Sequence, residues 1–236
     1  MVKKTAEDYY KSQKSKLLKD FDNIVKRTNT VFASHYGKDQ ANIMAAEIRQ
    51  EYETLIPHIP YIGGKQPLTQ FLIATVQFLA MYRVLKKHGL TLEETGGLIY
   101  EVCQALISSY PRFALRLFSR MDFSKRYQRG VQKRAEESHQ RQYPGDYVFN
   151  FVQGDGKEFD FGVDYIECAG YNFLNKQGAP ELAPYLCNID ILYSEAFSWG
   201  LIRKTTLAQG FDKCDFRFKK GGKTQVTVPA SFKLPK

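Results

Sequence analysis

The periodicity of the apolar residues changes at Tyr143-Pro-Gly145, and this change constrains the fold more than any other feature of the chain. Before it, apolar side chains recur at three- and four-residue spacing, as on helices that bury one face. After it, the segment 146–153 is dense in aromatic and β-branched residues, which favour a strand. The sequence therefore predicts an α+β fold, with a helical N-terminal half followed by a small antiparallel sheet with packed helices.

Local signals set the limits of the predicted elements. Lys86 and Lys87 followed by Gly89 are typical of a helix C-terminus, and Thr91 with Glu94 forms a capping box at the start of the next helix. The first half is predicted to contain helices over 6–31, 40–54, 68–88, 91–109 and 112–142. The second half is predicted to contain strands over 146–153, 200–209 and 214–219, and helices over 165–176 and 179–197.

The same signals divide the chain into four regions. We expect N-terminal helices at 1–60, a helical region at 61–142, an α+β catalytic region at 143–220 and a C-terminal tail at 221–236. Pro57, Pro60, Gly63 and Gly64 predict a non-helical connector between the first two regions.

The composition is that of a globular protein rather than a disordered or membrane-spanning one. A chain of 236 residues, 43% hydrophobic and 14% aromatic, can bury a sizeable core. The longest apolar stretch, at 71–81, is too short to cross a bilayer, and the start of the chain has no signal-peptide core. We therefore expect a cytoplasmic protein with no membrane partner.

The net charge of +9 is concentrated in an arginine-rich block at 112–141 and in the C-terminal tail. Such asymmetry can indicate nucleic-acid binding. However, no helix-turn-helix, zinc-finger or RNA-recognition signature accompanies it. We expect a small-molecule substrate and no nucleic-acid partner, with a homo-oligomer left open.

The four cysteines lie far apart without a CxxC pair, so we expect free thiols. A zinc site usually includes one short cysteine pair, and all four histidines lie in the first 140 residues. The sequence also lacks a P-loop, a GxSxG elbow, an HExxH motif and a Rossmann fingerprint. We therefore expect neither a metal nor a cofactor.

The densest group of reactive side chains lies in the predicted helix 179–197. Cys187, Asp190 and Ser194 follow i, i+3, i+7 spacing, which aligns them on one face of a helix. The other faces are apolar, and Glu195 follows directly. This pattern indicates a functional site, while the alternative is a polar stripe that faces water.

A second group follows near the end of the α+β region. Strand alternation puts Cys214 on the same face as Phe216 and Phe218, with Asp215 and Arg217 on the opposite face. The alternative interpretation is a buried thiol beside a surface ion pair.

A third group is the pair Glu167 and Cys168. On adjacent helical positions their side chains would diverge by about 100°, so both would not contact one ligand. Cys168 then becomes a candidate core residue, with Glu167 farther out.

Several segments together resemble the L-2-amino-thiazoline-4-carboxylic acid hydrolase family. The resemblance spans about 41–220 and is strongest after Gly145. Its blocks are Tyr61-Ile-Gly-Gly-Lys65, Asp146-Tyr-Val-Phe-Asn-Phe-Val-Gln-Gly-Asp-Gly156, Asp164-Tyr-Ile-Glu-Cys168, Gly178-Ala-Pro-Glu-Leu-Ala-Pro-Tyr-Leu-Cys187, Trp199-Gly-Leu-Ile-Arg203, Thr206-Leu-Ala208 and Cys214-Asp-Phe-Arg-Phe218.

The resemblance implies hydrolysis of a small cyclic C–N/C–S substrate, in which a thiazoline ring opens to a carbamoyl-cysteine. Such a reaction needs a nucleophile or an activated water, an acidic partner for the amidine and a cation for the carboxylate. The implied catalytic residues are Cys187, Asp190, Cys214 and Glu195. The implied substrate-binding residues are Ser194, Asp215, Arg217, Arg203, Glu167 and Cys168.

Two routes stay open at this point: attack by Cys187 or Cys214, or attack by water with Asp190 or Glu195 as the base. Either route predicts a site between the helix of Cys187 and the strand of Cys214. One alternative function is a non-catalytic small-ligand-binding domain, similar to the 4-vinyl reductase-type domains. Another is an interaction protein that uses its arginine-rich helix.

Overall fold

A computed structural model describes residues 6–64 and 66–228, and in it a layer of helices packs against one face of a five-stranded sheet. The helices are α1 (Ala6–Tyr36), α2 (Lys38–Leu55), α3 (Thr69–Lys87), α4 (Leu92–Ser108), α5 (Arg112–Asp122), α6 (Lys125–Ser138), α7 (Ala169–Lys176), α8 (Ala183–Cys187) and α9 (Ile189–Phe197). The strands are β1 (Val148–Gln153), β2 (Phe161–Glu167), β3 (Leu201–Arg203), β4 (Cys214–Phe218) and β5 (Gln225–Val226).

The helical N-terminal half is confirmed, because its signals are local. The capping box at α4 forms as predicted, with the Thr91 hydroxyl accepting from the Glu94 N–H and the Glu94 carboxylate accepting from the Thr91 N–H. The predicted helix 112–142 is two helices, α5 and α6, separated at Phe123 and Ser124. The apolar core extends from α1 through the sheet to α9, so both halves of the chain contribute to it.

The sheet has the strand order β1-β2-β4-β3-β5. Its first four strands pair antiparallel, whereas β5 pairs parallel with β3, so the sheet is mixed rather than purely antiparallel as predicted. In the central pair β2–β4, three register positions project toward the helices: Phe161 opposite Phe218, Val163 opposite Phe216, and Tyr165 opposite Cys214.

Three predicted elements of the second half are wrong in part. The predicted helix 165–176 begins only at Ala169, because Tyr165 to Glu167 belong to the central strand β2 and Cys168 is the N-cap of α7. Pairing with strands on both sides therefore overrides the local pattern. The predicted helix 179–197 contains a 3₁₀ turn, Pro180–Leu182, and then breaks at Asn188 between α8 and α9.

The third correction concerns the predicted strand 200–209. Only Leu201–Arg203 forms a strand, and Leu207–Gln209 is a 3₁₀ turn. The chain leaves the sheet there because the Asp215 carboxylate accepts hydrogen bonds from the backbone N–H groups of Lys204 and Thr205.

Two parts of the sequence-based description lie outside the described residues: Lys65 in the connector and 229–236 of the basic tail. The division into four regions stays a prediction. Within the described part of the chain, no helix combines the length and apolarity that a bilayer crossing requires.

Candidate functional site

A cavity of about 370 Å³ lies between the sheet and the helical layer. Its volume is within the range of roughly 300–1,000 Å³ that is typical of small-molecule sites. The floor is the helix-facing side of the sheet, including Val163 and Phe216, and the roof comes from α3, α4 and α6 to α9. Most of the residues that line it are apolar or aromatic. The charged residues among them are Asp122, Arg134, Asp190 and Arg203.

Asp190 and Arg203 form an ion pair at one end of this cavity. Arg203 projects from β3 with 1% of its side chain exposed, and its Nη1 donates to Asp190 Oδ2. The same nitrogen donates to the backbone carbonyl of Cys187 at 2.8 Å. The guanidinium carbon lies 5.4 Å from the ring centroid of Phe216, and Nε has no hydrogen-bond partner among the described residues.

The environment of Asp190 changes its acidity. Burial raises the pKa of its carboxyl from 3.8 to about 6, although the positive charge of Arg203 opposes the rise. The side chain is 29% accessible because it opens into the cavity, yet protein surrounds it, and burial therefore dominates. A carboxylate with a pKa near neutrality is ionised at pH 7 and is well matched to proton transfer.

All four cysteines are free thiols, as predicted, and all four line the cavity. Burial raises the pKa of Cys187 well above its usual range, and the nearby Arg203 lowers it only in part. Burial likewise raises the pKa of Cys214 to about 11 and of Cys103 to about 12, and it raises the pKa of Cys168. These thiols are therefore protonated near pH 7, whereas the reactive form of a cysteine is the thiolate.

Only part of the predicted polar stripe faces the cavity, and the break at Asn188 falls within that part, between Cys187 and Asp190. Cys187 and Asp190 both line the cavity. Ser194 is fully buried away from it, where its hydroxyl accepts from the Leu201 N–H at 2.9 Å and bonds to the Thr224 hydroxyl at 2.7 Å. These contacts join α9 to the sheet, so the position of Ser194 indicates a structural role.

Three further predicted site residues do not line the cavity. Glu195 lies on the exposed side of α9. Asp215 binds backbone N–H groups where the chain leaves β3. Arg217 lies on the opposite face of the sheet, as strand alternation predicts, and its Nη1 donates to Asp164 Oδ1 at 2.7 Å.

The pair Glu167 and Cys168 separates as predicted, but for a different reason. Glu167 ends β2 and forms an ion pair with Arg141 at the surface. Cys168 is the N-cap of α7, where its sulfur accepts from the Tyr171 N–H at 3.5 Å, and it also lines the cavity. The pair therefore belongs to a strand end and a cap rather than to one helix.

Arg134, a residue of the basic block at 112–141, also lines the cavity, although it was not predicted as a site residue. Its guanidinium carbon lies 6.0 Å from the ring centroid of Tyr127, and it forms no ion pair with any described residue. The signal was helical periodicity: Arg134 shares a face with Val131 and Ala135, the two buried residues of α6. It offers the cavity a second cation.

Trp199 and Asp122 mark the other end of the cavity. The indole Nε1 donates to Asp122 Oδ2 at 2.9 Å, and both residues line the wall. Burial raises the pKa of the Asp122 carboxyl, and the bond from Trp199 lowers it in part. The carboxyl group thus fixes the orientation of the indole in the wall.

The sequence model of the L-2-amino-thiazoline-4-carboxylic acid hydrolase family matches residues 70–218, which is more than half of the chain. The chain belongs to this family. The hydrolase-family match ends at Phe218 and contains the whole cavity wall except Ile24, Pro67 and Leu68. Searches of curated proteins and of solved structures found no match.

The family match and the cavity thus coincide. Within the described residues, no three His, Cys, Asp or Glu side chains form a group that could hold a metal ion. Among the described residues that line the cavity, Asp190 and Arg203 form the one ion pair, and both lie within the region that the hydrolase family shares.

Proposed function

We propose that this protein is a hydrolase that opens a small cyclic amidine, of the thiazoline type named by its family, with Asp190 as the general base. One observation carries the proposal: a carboxylate with a pKa near 6 faces the cavity and is held by a buried arginine. A base with such a pKa is ionised at neutral pH and still accepts a proton readily.

The charges of the cavity support binding of the substrate in one orientation. An amidine that is protonated carries positive charge, which the Asp190 carboxylate attracts. Arg134 supplies a cation without an acidic partner among the described residues, and it suits the carboxylate of the substrate. Arg203 orients Asp190 through Oδ2 and leaves Oδ1 to accept a proton.

The proposed reaction is an addition followed by an elimination. Asp190 takes a proton from a water molecule, whose oxygen bonds to the amidine carbon between sulfur and nitrogen. The hydroxyl group of the tetrahedral carbon then loses its proton to solvent and becomes a carbonyl group as the bond from carbon to sulfur breaks. Protonated Asp190 returns the proton to the sulfur, and the product is a carbamoyl-cysteine with a free thiol.

Attack by water is favoured over attack by a cysteine. The thiols of Cys187 and Cys214 have pKa values raised by burial, so the thiolate that a covalent route requires is scarce. Their role in the proposed site is to form the wall around the reacting ring.

Conversion of L-2-amino-thiazoline-4-carboxylate to N-carbamoylcysteine, followed by chromatography with mass detection, tests the proposal. Asp190→Asn should lower kcat by about 10² to 10⁴, the usual contribution of a general base. Glu195→Gln is the matched control on the same helix and should retain turnover because Glu195 faces solvent. Equal turnover in wild type and Asp190→Asn, or no product from wild type, would overturn the proposal.

The apolar character of most of the wall supports a second candidate, a domain that binds a small ligand without turnover. That function predicts a retained ligand in native mass spectrometry. It also predicts that no thiazoline is hydrolysed at any pH.

A further inference from the structure

The cavity is large relative to a single thiazoline ring with one carboxylate. Its volume of about 370 Å³ is that of a drug-sized site, and only one end holds the Asp190–Arg203 pair. Most of the remaining wall is apolar or aromatic, so it suits an apolar part of a ligand.

The end opposite Asp190 is formed by aromatic rings. Phe161 packs against Phe218 with centroids 4.9 Å apart, and Trp199 meets Phe218 edge-on at 5.8 Å. Phe123 approaches Phe161 at 5.6 Å, and Tyr127 approaches it at 6.3 Å. All five rings line the cavity, and this group is called the aromatic end below.

The strand register gives the distance between the two ends. Ile202 pairs with Arg217, so the next residue, Arg203, lies beside Phe216, and its guanidinium carbon is 5.4 Å from the centroid of that ring. Phe218 and Phe161 are paired at the aromatic end, two strand residues beyond Phe216, which corresponds to about 7 Å. Val163 pairs with Phe216 and also lines the cavity, so the floor between Arg203 and the aromatic end is continuous and apolar.

We propose that the ligand of this site is a cyclic amidine that carries a bulky aromatic substituent, with the amidine at Asp190 and the substituent over the aromatic end. The inference rests on the proposed function for the placement of the amidine. An unsubstituted ring with its carboxylate at Arg134, beside Tyr127, would leave Phe218 and Phe161 uncovered, whereas an aryl group would pack edge-to-face against these two rings.

Benzamidine and acetamidine test the binding part, since both are amidinium ions and only one carries a ring. Trp199 is the only tryptophan of the chain and lines the aromatic end, so its fluorescence reports occupancy without a label. Benzamidine should bind at least tenfold more tightly than acetamidine, because a well-filled apolar pocket discriminates on this scale. Asp190→Asn should weaken both. Equal affinities in wild type would overturn the inference.

Turnover of 2-amino-thiazoline-4-carboxylate and of its 5-phenyl derivative tests the same idea on the reaction. The phenyl derivative should have a kcat/KM at least tenfold higher. Val163→Phe, which narrows the middle of the floor, should reduce that ratio toward one, and the exposed Phe211→Ala should leave it unchanged. A ratio near one in wild type overturns the inference without depending on how the variant folds.

The two proposals fail differently. If benzamidine binds more tightly than acetamidine but neither thiazoline is opened, the hydrolase proposal is wrong, and the proposal of an aromatic amidine as the ligand is supported. If both thiazolines are opened with equal kcat/KM, the hydrolase proposal is supported, and the proposal of an aromatic substituent on the substrate is wrong.

Discussion

The carboxyl of Asp190 is the group whose chemistry depends most on its surroundings. Burial raises its pKa to about 6, whereas the same group in the unfolded chain titrates near 3.8. The folded state therefore binds the proton more tightly, and ionisation costs stability as the pH rises through this interval. In exchange for this loss of stability, the cavity contains a carboxylate that accepts a proton more readily than an ordinary aspartate does.

We predict a pH dependence of the reaction from this pKa. With ionised Asp190 as the base, kcat/KM should fall about tenfold per pH unit below pH 6 and be level above it. The free energy of unfolding should change in the opposite direction. The contribution of Asp190 to this free energy decreases as the pH rises from about 4 to 6, and it is constant above pH 6. Asp190→Asn should lack this pH-dependent contribution. An activity limb centred near pH 4 would contradict the prediction.

Arg203 is the second residue on which the site depends. Replacing it with methionine in Arg203→Met should destabilise the fold by about 3 kcal/mol in urea unfolding, since a buried carboxylate is left without its partner. Arg49→Met removes a half-exposed pair with Asp22 and should cost no more than about 1 kcal/mol. Equal losses in the two variants would show that Arg203 is not a buried charge in the folded protein.

Helices and strands differ in how far the sequence predicts them. The first four helices follow from apolar periodicity and caps, which are signals within one segment. The strand Phe161–Glu167 pairs with β1 on one side and with β4, some fifty residues later, on the other. Its identity depends on these distant partners, so a local pattern led instead to a helix beginning at 165.

The same distinction applies to the site. Cys187 and Asp190 were predicted together because they are close in sequence, and both line the cavity. Ser194 was grouped with them because it shares a helix face with Asp190, but its hydroxyl accepts from the Leu201 N–H of β3, a contact that the pattern of one helix does not indicate. Arg134 was not selected because the periodicity of its segment places it beside Val131 and Ala135 but does not indicate that α6 packs over β1.

Close packing of α4 against α8 gives a prediction for two adjacent glycines. A Cβ at Gly96 would overlap the ring of Tyr185, whereas a Cβ at Gly97 meets nothing within 4 Å. Gly96→Ala should therefore destabilise the fold by about 1–3 kcal/mol in thermal or urea unfolding. Gly97→Ala, the matched control, should be neutral or stabilise by up to about 1 kcal/mol. A stabilised Gly96→Ala would mean that α4 and α8 are farther apart.

At the scale of the whole molecule, one cavity contains every thiol of the chain. Cys103 is 4% exposed and Cys214 is 7% exposed, and the other two face inward. The fold buries the four thiols and thereby keeps them protonated. Their rate of reaction with a thiol reagent therefore indicates whether the protein is folded.

At pH 8, Cys214 in native protein should react with a disulfide reagent about 100-fold more slowly than a cysteine of the unfolded protein, because a two-unit rise in its pKa removes that fraction of thiolate. The other three thiols should also react more slowly than in the unfolded protein, since burial raises the pKa of each. The unfolded chain, measured in urea as the control, should release the equivalent of four thiols. Fast reaction of one thiol in the native state would contradict this, and would restore that cysteine as a candidate nucleophile.

The two borders of the sheet have a consequence for assembly. An unpaired strand invites another chain to extend the sheet, which leads to fibres. At β1 the Ser138 hydroxyl of the α6 helix accepts from the Phe149 N–H at 3.1 Å and contacts its carbonyl oxygen at 3.4 Å, so these groups are not free to pair. At the other border β5 is only two residues long. We therefore expect little aggregation through edge-to-edge strand pairing when the protein is concentrated.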